Sequence, residues 1–217
     1  MSSEPPARAT TAILAGAATV EGEAIAAGLA ARGVEVLRVD RDGTGPSPVT
    51  WGVDVWEAGN VAAIVEDALA RWGRIDLLVN ATAMDVRRHP FVDLPSVGFE
   101  RSMALSVRVP FLTLKHVLPV MMRQGRGRVL NVASPLARRG GAGAAGLSAS
   151  HHGLFGLTMN VAHEYAGHGV RTHLLCVASD LGATPDDIGA AAAWLLLDSP
   201  DRLNGHVMVL DGGRSVA

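Results

Sequence analysis

The sequence contains very few residues of several chemically important types. Its 217 residues include one cysteine, one tyrosine (Tyr165) and one lysine (Lys115). A single cysteine excludes an internal disulfide and a cysteine-built zinc site, and it is typical of the reducing cytoplasm. No apolar run approaches the ~18 residues that cross a membrane, and a net charge of -2 gives no electrostatic reason to bind nucleic acid. We therefore expect a cytoplasmic protein with neither a membrane nor a nucleic acid as its partner.

The pattern along the chain predicts an α/β protein with a parallel sheet. Hydrophobic residues make up 48% of the chain and charged residues 18%, as in a compact globular protein. Short continuous apolar runs predict buried parallel strands at Thr11–Ala15, Val34–Val39, Thr50–Val53, Ile75–Val79, Arg128–Val132, Arg171–Val177 and His206–Leu210. Between them lie predicted helices at Gly22–Arg32, Trp56–Trp72, Phe99–Met122, Ala149–His168 and Pro185–Leu197. This alternation predicts a Rossmann-type doubly wound sheet of about seven strands with helices on both faces.

The domain organisation is simple. Residues 1–9 are polar and contain two prolines, so we predict a flexible N-terminal arm. Residues 10–217 are predicted to form a single domain, because dividing them would leave two thin cores.

The turn after the first predicted strand resembles a phosphate-binding loop. It contains Gly16, Thr19, Val20 and Gly22 and leads directly into a helix. Glycines let the backbone approach a pyrophosphate while the N–H groups of the helix point at it. We predict these four residues to contact a cofactor; an ordinary strand-to-helix connection is the alternative.

Two aspartates follow the next two predicted strands at the same edge of the sheet. Asp40 ends the second strand, where a carboxylate accepts ribose hydroxyls and repels a 2′-phosphate. Asp54 follows the third strand, where it would face an adenine. Together with their neighbours Arg41 and Val55 they favour a nucleotide-shaped crevice in which NAD is the candidate cofactor, although the charge of Arg41 weakens the preference for NAD over NADP; solvated surface carboxylates are the alternative.

The chain from about residue 10 resembles the short-chain dehydrogenase/reductase family. The resemblance is carried in order by the segments LAGAATVEGEAIA, VDVWEAGNV, GRIDLLVNATA, GRVLNVAS, LSASHHGLFGLTMNVAHEYAGHGVRTHLL and LNGHVMVLDGG. It implies the doubly wound fold and a nicotinamide cofactor. It also implies that Asn80 and Ala81, at the family's Asn-Asn-Ala-Gly motif, line the cofactor crevice. Val20 replaces the middle glycine of the family's glycine motif.

The catalytic positions implied by the resemblance differ from the family pattern. The family uses an Asn-Ser-Tyr-Lys set, whose serine aligns with Ser134. Leu147 then replaces the tyrosine, His151 the lysine and Ser106 the asparagine. Leucine has no proton to transfer, so the usual general acid is absent. His151 would point into the crevice near Ser134, and this pair could move a proton or attack a substrate; the alternative is that His151 only fills the lysine's place.

Three functions remain open at this stage. We expect a non-catalytic subunit with a degenerate active site, which assembles as a homo-tetramer or homo-dimer or with an active relative. The first alternative is a non-redox enzyme (a cyclase, dehydratase, lyase or hydrolase) that uses Ser134 and His151 on a small-molecule ligand. The second is a residual NAD-dependent oxidoreductase. The histidines show no metal-ligand spacing with acidic residues, so we expect no metal.

Overall fold

Seven parallel strands form one sheet at the centre of the computed structural model. The structure describes residues 9–40, 50–52, 57–82, 88–178 and 182–214, so most of the predicted N-terminal arm lies outside the described residues. The strand order is β3-β2-β1-β4-β5-β6-β7, and neighbouring strands pair in parallel. The strands are β1 (Thr11–Ala15), β2 (Glu35–Asp40), β3 (Thr50–Gly52), β4 (Leu77–Asn80), β5 (Gly127–Ala133), β6 (Val170–Val177) and β7 (Val207–Leu210). The continuous apolar runs predicted these strands because both faces of the sheet are covered.

Helices cover both faces, which confirms the predicted doubly wound fold. They are α1 (Val20–Ala30), α2 (Ala58–Trp72), α3 (Ser96–Met103), α4 (Val109–Gln124), α5 (Ala145–Glu164) and α6 (Pro185–Ala193). Helices α1 and α6 pack with buried side chains of β1, β4, β5 and β6 on one face. Helices α2 and α4 cover the other face, where α5 packs beside them over β5 and β6.

Two of the predicted helices are interrupted by wide turns. The predicted helix Phe99–Met122 is α3 and α4 joined by a π-helical turn at Ala104–Arg108. The predicted helix Pro185–Leu197 ends in a second π turn at Trp194–Asp198. Hydrophobic periodicity does not reveal such turns, because one extra residue in a turn shifts the apolar face only slightly.

Strand β4 begins two residues later than the apolar run predicts. The backbone N–H of Ile75 donates to Oε1 of Gln124 at 2.9 Å, and Nε2 of Gln124 donates to the Ile75 carbonyl at 2.8 Å. A side chain therefore satisfies the backbone of Ile75, and the strand begins only at Leu77.

The longest helical stretch is apolar enough to resemble a membrane span. Ser96–Gln124 spans 29 residues with a mean hydropathy of 1.2 in its most apolar window, which meets the length and composition of a spanning helix. More than half of that window is buried inside the fold, as expected for a core helix. The sequence expectation overlooked this stretch because polar residues are interspersed along it. The cytoplasmic location stays a prediction.

The carboxyl ends of the strands meet at one edge of the sheet. Register pairs Ala15 with both Val39 and Asn80, and Asn80 with Asn131. The turn after β1, the end of β2 and the residue after β5 therefore lie along the same edge. In an open α/β sheet this edge is where ligands bind.

Candidate active site

The glycine turn after β1 is held in place by close backbone packing. Gly16 has φ +84°, and its N–H donates to the Val39 carbonyl at 2.9 Å. A Cβ on Gly16 would lie 2.2 Å from the Ala81 carbonyl oxygen, and a Cβ on Gly22 would lie 2.0 Å from that of Gly16. Both positions therefore require glycine for the turn itself, whatever ligand it holds.

Thr19 caps helix α1 from within this turn. Its Oγ1 accepts the N–H of Gly22 at 2.9 Å and lies 2.8 Å from the Gly16 carbonyl and 3.0 Å from the Ala81 carbonyl. The hydroxyl is thus bonded inside the turn, and Ala81 contributes its carbonyl to the same cluster. Thr19 and Ala81, both predicted to contact a cofactor, hold the shape of the turn.

Val20 is the first residue of α1 and its side chain is 60% exposed at the mouth of the turn. The sequence analysis predicted that Val20, which replaces the middle glycine of the family motif, contacts a cofactor. In the structure the Val20 side chain lies on the surface, so it does not distort the backbone of the glycine turn. Glu21 and Glu23 add negative charge to the same first turn of the helix.

Asp40 lies against the glycine turn. Its carboxylate accepts the N–H of Ala18 at 2.7 Å. Arg38, two residues earlier and so on the same face of β2, donates from Nη2 to the Ala17 carbonyl at 3.3 Å. The sequence analysis missed Arg38, although its period-two spacing from Asp40 was the available signal. Arg41, Asp54 and Val55, predicted to share this crevice, lie outside the described residues.

The side chain of Asn80 lies inside the fold rather than in the crevice that the sequence analysis predicted. Its Oδ1 accepts the hydroxyl of Thr113 on α4 at 2.7 Å, and its Nδ2 donates to Oδ1 of Asn131 at 2.8 Å. Asn131 in turn donates to Oγ1 of Thr158 on α5 at 2.9 Å. These buried amides and hydroxyls join α4, β4, β5 and α5, so Asn80 positions the elements of the site.

Ser134 and His151 form the only pair of predicted catalytic residues that the described structure shows in direct contact. Ser134 follows β5, and His151 lies on α5 with only 1% of its surface exposed. Nδ1 of His151 accepts the backbone N–H of Ser134 at 2.9 Å and lies 3.0 Å from Oγ of the same residue. Because Nδ1 is an acceptor, the ring hydrogen is assigned to Nε2.

His151 is uncharged at neutral pH. Burial, and to a smaller extent the neighbouring His152, lower the pKa of its imidazole from 6.5 to about 4. A neutral ring with an acceptor nitrogen beside a serine hydroxyl can accept a proton from that hydroxyl. It has no proton to give at Nδ1, so at pH 7 the pair is suited to general-base chemistry.

Leu147 lies one helical turn before His151 on the same face of α5 and is 9% exposed. It lines a cavity of about 170 Å³. Ser106 is buried in the π turn between α3 and α4, against which α5 packs. The carbonyl of the adjacent Leu105 accepts the hydroxyl of Thr82 at 2.7 Å, which ties this turn to the end of β4.

The single tyrosine and the single lysine lie elsewhere. Tyr165 ends helix α5 and packs against the core cluster of α2 and α4. It follows His151 by 14 residues, which is ~21 Å along a helix axis. Lys115 lies on α4, with Nζ 6.0 Å from the ring centre of Phe111. Neither side chain can take the place of Leu147 beside Ser134.

Curated relatives match nearly the whole chain. Levodione reductase of Leifsonia aquatica is 28% identical over 263 aligned positions, covering 99% of this chain and 98% of the relative. D-threitol dehydrogenase of Mycolicibacterium smegmatis is 28% identical and covers 94% and 92%. A crystal structure of 3-ketoacyl-(acyl-carrier-protein) reductase from Brucella melitensis, complexed with NADH, has a TM-score of 0.88 at 25% identity, covering 96% of this chain and 99% of that one.

These relatives correct the function expected from the sequence. They are named as active reductases and dehydrogenases, which points to an oxidoreductase. The expectation of a non-catalytic subunit is therefore wrong, and the non-redox alternative fails for the same reason. That expectation treated the replaced tyrosine and lysine as a loss of all redox activity.

The match to the family model agrees with the fold and with the position of the glycine turn. The model for short chain dehydrogenases matches residues 10–181, which run from β1 to the segment after β6. The chain belongs to the short-chain dehydrogenase family.

Proposed function

We propose that this protein is an NAD-dependent oxidoreductase that oxidises an alcohol to a ketone, with Ser134 and His151 removing the hydroxyl proton. The observation that carries the proposal is the contact of Ser134 Oγ with His151 Nδ1 at 3.0 Å. It lies at the carboxyl edge of the sheet, where the glycine turn also lies. NAD supplies the acceptor for the hydride when it is bound.

The glycine turn and Asp40 fit a dinucleotide without a 2′-phosphate. The capped start of α1 presents the positive end of the helix dipole to a pyrophosphate. Asp40 is held beside the turn by its bond to Ala18, where its negative charge opposes a 2′-phosphate. Arg38 lies close by, and its contact with the Ala17 carbonyl keeps its guanidinium at the turn.

The proton of the substrate hydroxyl passes to Ser134 in this proposal. Oγ of Ser134 accepts that proton while its own proton moves to Nδ1 of His151, leaving a protonated imidazole. The Nδ1 lone pair is free for this proton only when its bond from the Ser134 backbone N–H opens in the same step. The carbon–oxygen bond becomes a carbonyl as the hydride leaves. The imidazole then returns its proton to solvent, which its pKa of about 4 favours strongly at neutral pH.

In this site, Leu147 and His151 occupy the positions of the family's Tyr-x-x-x-Lys pair. No phenol is therefore available to protonate a ketone. Because neutral His151 accepts a proton but cannot supply one at Nδ1, alcohol oxidation is favoured over ketone reduction near pH 7. The absent phenol is expected to lower the reduction rate by ~10²–10⁴ relative to a site that has one.

Replacing the serine hydroxyl tests this proposal. Ser134→Ala should lower kcat for alcohol oxidation by ~10²-fold or more while the dissociation constant for NADH stays the same. The matched control is Ser150→Ala, because Ser150 is buried on α5 next to His151 and, among the described residues, its hydroxyl donates to the Leu147 carbonyl. Equal activity of Ser134→Ala and Ser150→Ala would remove Ser134 from the chemistry.

We also propose that the protein assembles with itself as a dimer or tetramer. Phe99 on α3 and Phe111 on α4 expose aromatic surface to solvent. Exposed apolar patches on a protein chain often mark the surface that a partner covers. Light scattering after size exclusion should give a multiple of 22.5 kDa. Phe111→Lys should lower that mass, and a wild-type monomer would exclude the proposal.

A further inference from the structure

Another cavity lies at the opposite edge of the sheet from the Ser134–His151 pair. It opens where the amino ends of β4, β5 and β6 meet, and its volume is about 440 Å³. Strand β5 runs from Gly127 in the wall of this cavity to the residue before Ser134, a length of ~23 Å at the rise of a parallel strand. The cavity is therefore separate from the candidate active site, and the proposed reaction does not use it.

Charged side chains form much of the wall of this cavity. Among the described residues that line it, four are arginines and two are aspartates, so positive charge exceeds negative charge by two. They are Arg74, Arg126, Arg128 and Arg171, with Asp76 and Asp201. The whole chain carries a net charge of -2, so the surplus of positive charge is a local feature of this edge.

Two of the four arginines have a clear role in the fold. Arg74 donates from Nε to Asp76 Oδ1 at 3.0 Å, which forms an ion pair just before β4. Arg128 donates to the Ser199 hydroxyl at 2.6 Å and to the Ser199 carbonyl at 2.8 Å, and its Nη2 also donates to Asp201 Oδ1 at 2.8 Å. Each of these guanidinium groups has a carboxylate partner, so packing of the chain accounts for both.

Arg126 has no carboxylate to itself within the described part of the chain. Its Nη2 lies 3.5 Å from the Asp76 oxygen to which Arg74 already donates. That separation is longer than a charge-assisted hydrogen bond, and 63% of the Arg126 side chain is exposed. Because a guanidinium has five N–H donors, Arg126 has donors available for a ligand in the cavity.

Arg171 lies beside another arginine. The register pairs it with Arg128 on β5, and adjacent strands are ~4.8 Å apart, so two positive side chains leave the same face of the sheet next to each other. Arg171 donates to the carbonyls of Ala166 at 2.9 Å and Val170 at 3.0 Å. It also donates to the Asp201 carbonyl, and no described carboxylate forms an ion pair with it. Like charges at this spacing repel each other, and a bound anion would offset the repulsion.

The positive charge of this edge extends into the fold. His173 follows Arg171 by two residues on β6 and is fully buried. Burial, together with the charges of Arg128, His206 and Arg171, lowers the pKa of its imidazole to about 4. The two arginines therefore act on a neighbouring group as positive charges, although Asp201 lies beside them.

We infer that this cavity binds a small molecule that carries a phosphate group, and that Arg126 and Arg171 hold the phosphate. A guanidinium donates two parallel N–H bonds to a phosphate. The tetrahedral oxygens of a phosphate accept from arginines on several sides, whereas a carboxylate has two oxygens in one plane. The cavity lies within the ~300–1,000 Å³ of ligand-binding cavities, so the rest of the molecule has room beside its phosphate.

Calorimetric titration with ribose 5-phosphate at constant ionic strength tests the inference. We expect a dissociation constant of ~1 mM or lower, with succinate at least ~10-fold weaker and no binding of ribose, which has no charge. Failure of ribose 5-phosphate to bind up to ~10 mM would overturn the inference. Equal binding of succinate would overturn the assignment to a phosphate.

Two arginine variants locate the bound phosphate. Arg126→Gln removes a mostly exposed side chain, and Arg171→Gln removes the second guanidinium; each should weaken ribose 5-phosphate binding by ~10-fold or more. The control is Arg101→Gln, because Arg101 is exposed on α3 and does not line this cavity, so it should bind like the wild type. Melting temperatures show whether each variant is folded. Wild-type affinity in Arg126→Gln and Arg171→Gln would mean that the phosphate is held elsewhere, and the inference would be wrong.

A competition experiment separates this cavity from the glycine turn. Ribose 5-phosphate should bind equally well with and without saturating NADH, because the two sites lie at opposite edges of the sheet. Displacement of ribose 5-phosphate by NADH would place the phosphate at the glycine turn and overturn the inference. The proposed oxidoreductase function is measured independently, since it depends on alcohol oxidation at the other edge.

Discussion

Nδ1 of His151 accepts the backbone N–H of Ser134 at 2.9 Å, which fixes both the ring orientation and its tautomer. The same nitrogen lies 3.0 Å from the serine hydroxyl, and the ring is buried with its pKa lowered to about 4. A buried, neutral, oriented imidazole beside a hydroxyl can accept a proton at neutral pH, and its lowered pKa makes it a weaker base than a solvated histidine. The predictions for activity follow from this contact.

The first prediction concerns the pH profile of alcohol oxidation. The rate needs neutral His151, so it should stay level between about pH 6 and 8 and fall in acid with a midpoint near the lowered pKa of about 4. Initial rates measured in short assays keep acid unfolding out of the profile. His151→Gln should lose most of the activity together with this acid limb. A limb centred near 6.5 in the wild type would mean that His151 is solvated.

The second prediction tests the proposal that the family's tyrosine and lysine are replaced at this site. Leu147→Tyr combined with His151→Lys introduces a phenol and an ammonium at the two positions on α5, one turn apart. Ketone reduction at pH 7 should then rise by ~10²-fold or more, because the phenol supplies the missing proton donor. The cavity beside Leu147 gives the larger ring room.

The two single variants are the controls for this gain. Leu147→Tyr alone has no cation to lower the pKa of its phenol, and His151→Lys alone has no phenol. Each should reduce ketones much more slowly than the double variant. If the double variant gains nothing, the missing tyrosine is not what limits reduction.

The third prediction concerns His173, which lies on β6 with no exposed surface; within the described part of the chain, neither ring nitrogen has a hydrogen-bond partner. Burial, together with the charges of Arg128, His206 and Arg171, lowers its pKa to about 4. As the pH drops, the imidazole of this residue is protonated in the unfolded chain before it is protonated in the folded chain. The free energy of unfolding therefore falls as the pH drops from 6.5 towards 4. The loss amounts to roughly 3 kcal/mol for this residue.

His173→Leu should remove this acid-dependent loss of stability, and it also removes the two buried ring nitrogens that have no partner. At pH 7 the melting temperature should rise by ~2–6 °C, since an unsatisfied buried group costs ~1–2 kcal/mol. The control is His163→Leu, because His163 is exposed on α5. Thermal unfolding of both variants at pH 7 and pH 5 measures the effect, and an equal pH dependence in the two would refute it.

The fourth prediction concerns the contact between α1 and α6. A Cβ on Gly28 would lie 2.7 Å from the Gly189 carbonyl oxygen, and one on Gly189 would lie 2.8 Å from the carbonyl of Ala24. Gly28→Ala should therefore force the helices apart and cost ~1–3 kcal/mol in the free energy of unfolding. Gly59→Ala, at an open helical position, should instead stabilise by ~0.5–1 kcal/mol. Urea unfolding distinguishes the two; equal stability would contradict the close packing.

Much of the fold could be predicted because its signals are local. Buried parallel strands produce continuous apolar runs, and each of the seven predicted strands overlaps an observed one. Wide turns such as Ala104–Arg108 could not be predicted, because they depend on tertiary contacts such as the bond from Thr82 to the Leu105 carbonyl.

The site was only partly predictable for similar reasons. The pairing of Ser134 with His151 was implied by the family resemblance, and the structure brings the two together. The inward direction of the Asn80 side chain depends on Thr113 and Asn131, which lie far along the chain. The error about function had another cause. The family comparison implies that the usual proton donor is replaced, but this replacement does not show that Ser134 and His151 are unable to support the redox reaction.

The most direct test of the central claim is a titration of the purified protein with NADH and NADPH, followed by cofactor fluorescence and thermal shift. The glycine turn and Asp40 predict NADH binding in the micromolar range and NADPH binding at least ~10-fold weaker, because the Asp40 carboxylate opposes the 2′-phosphate. Asp40→Ala should narrow this difference. The absence of NADH binding up to millimolar concentration would contradict an NAD-dependent oxidoreductase.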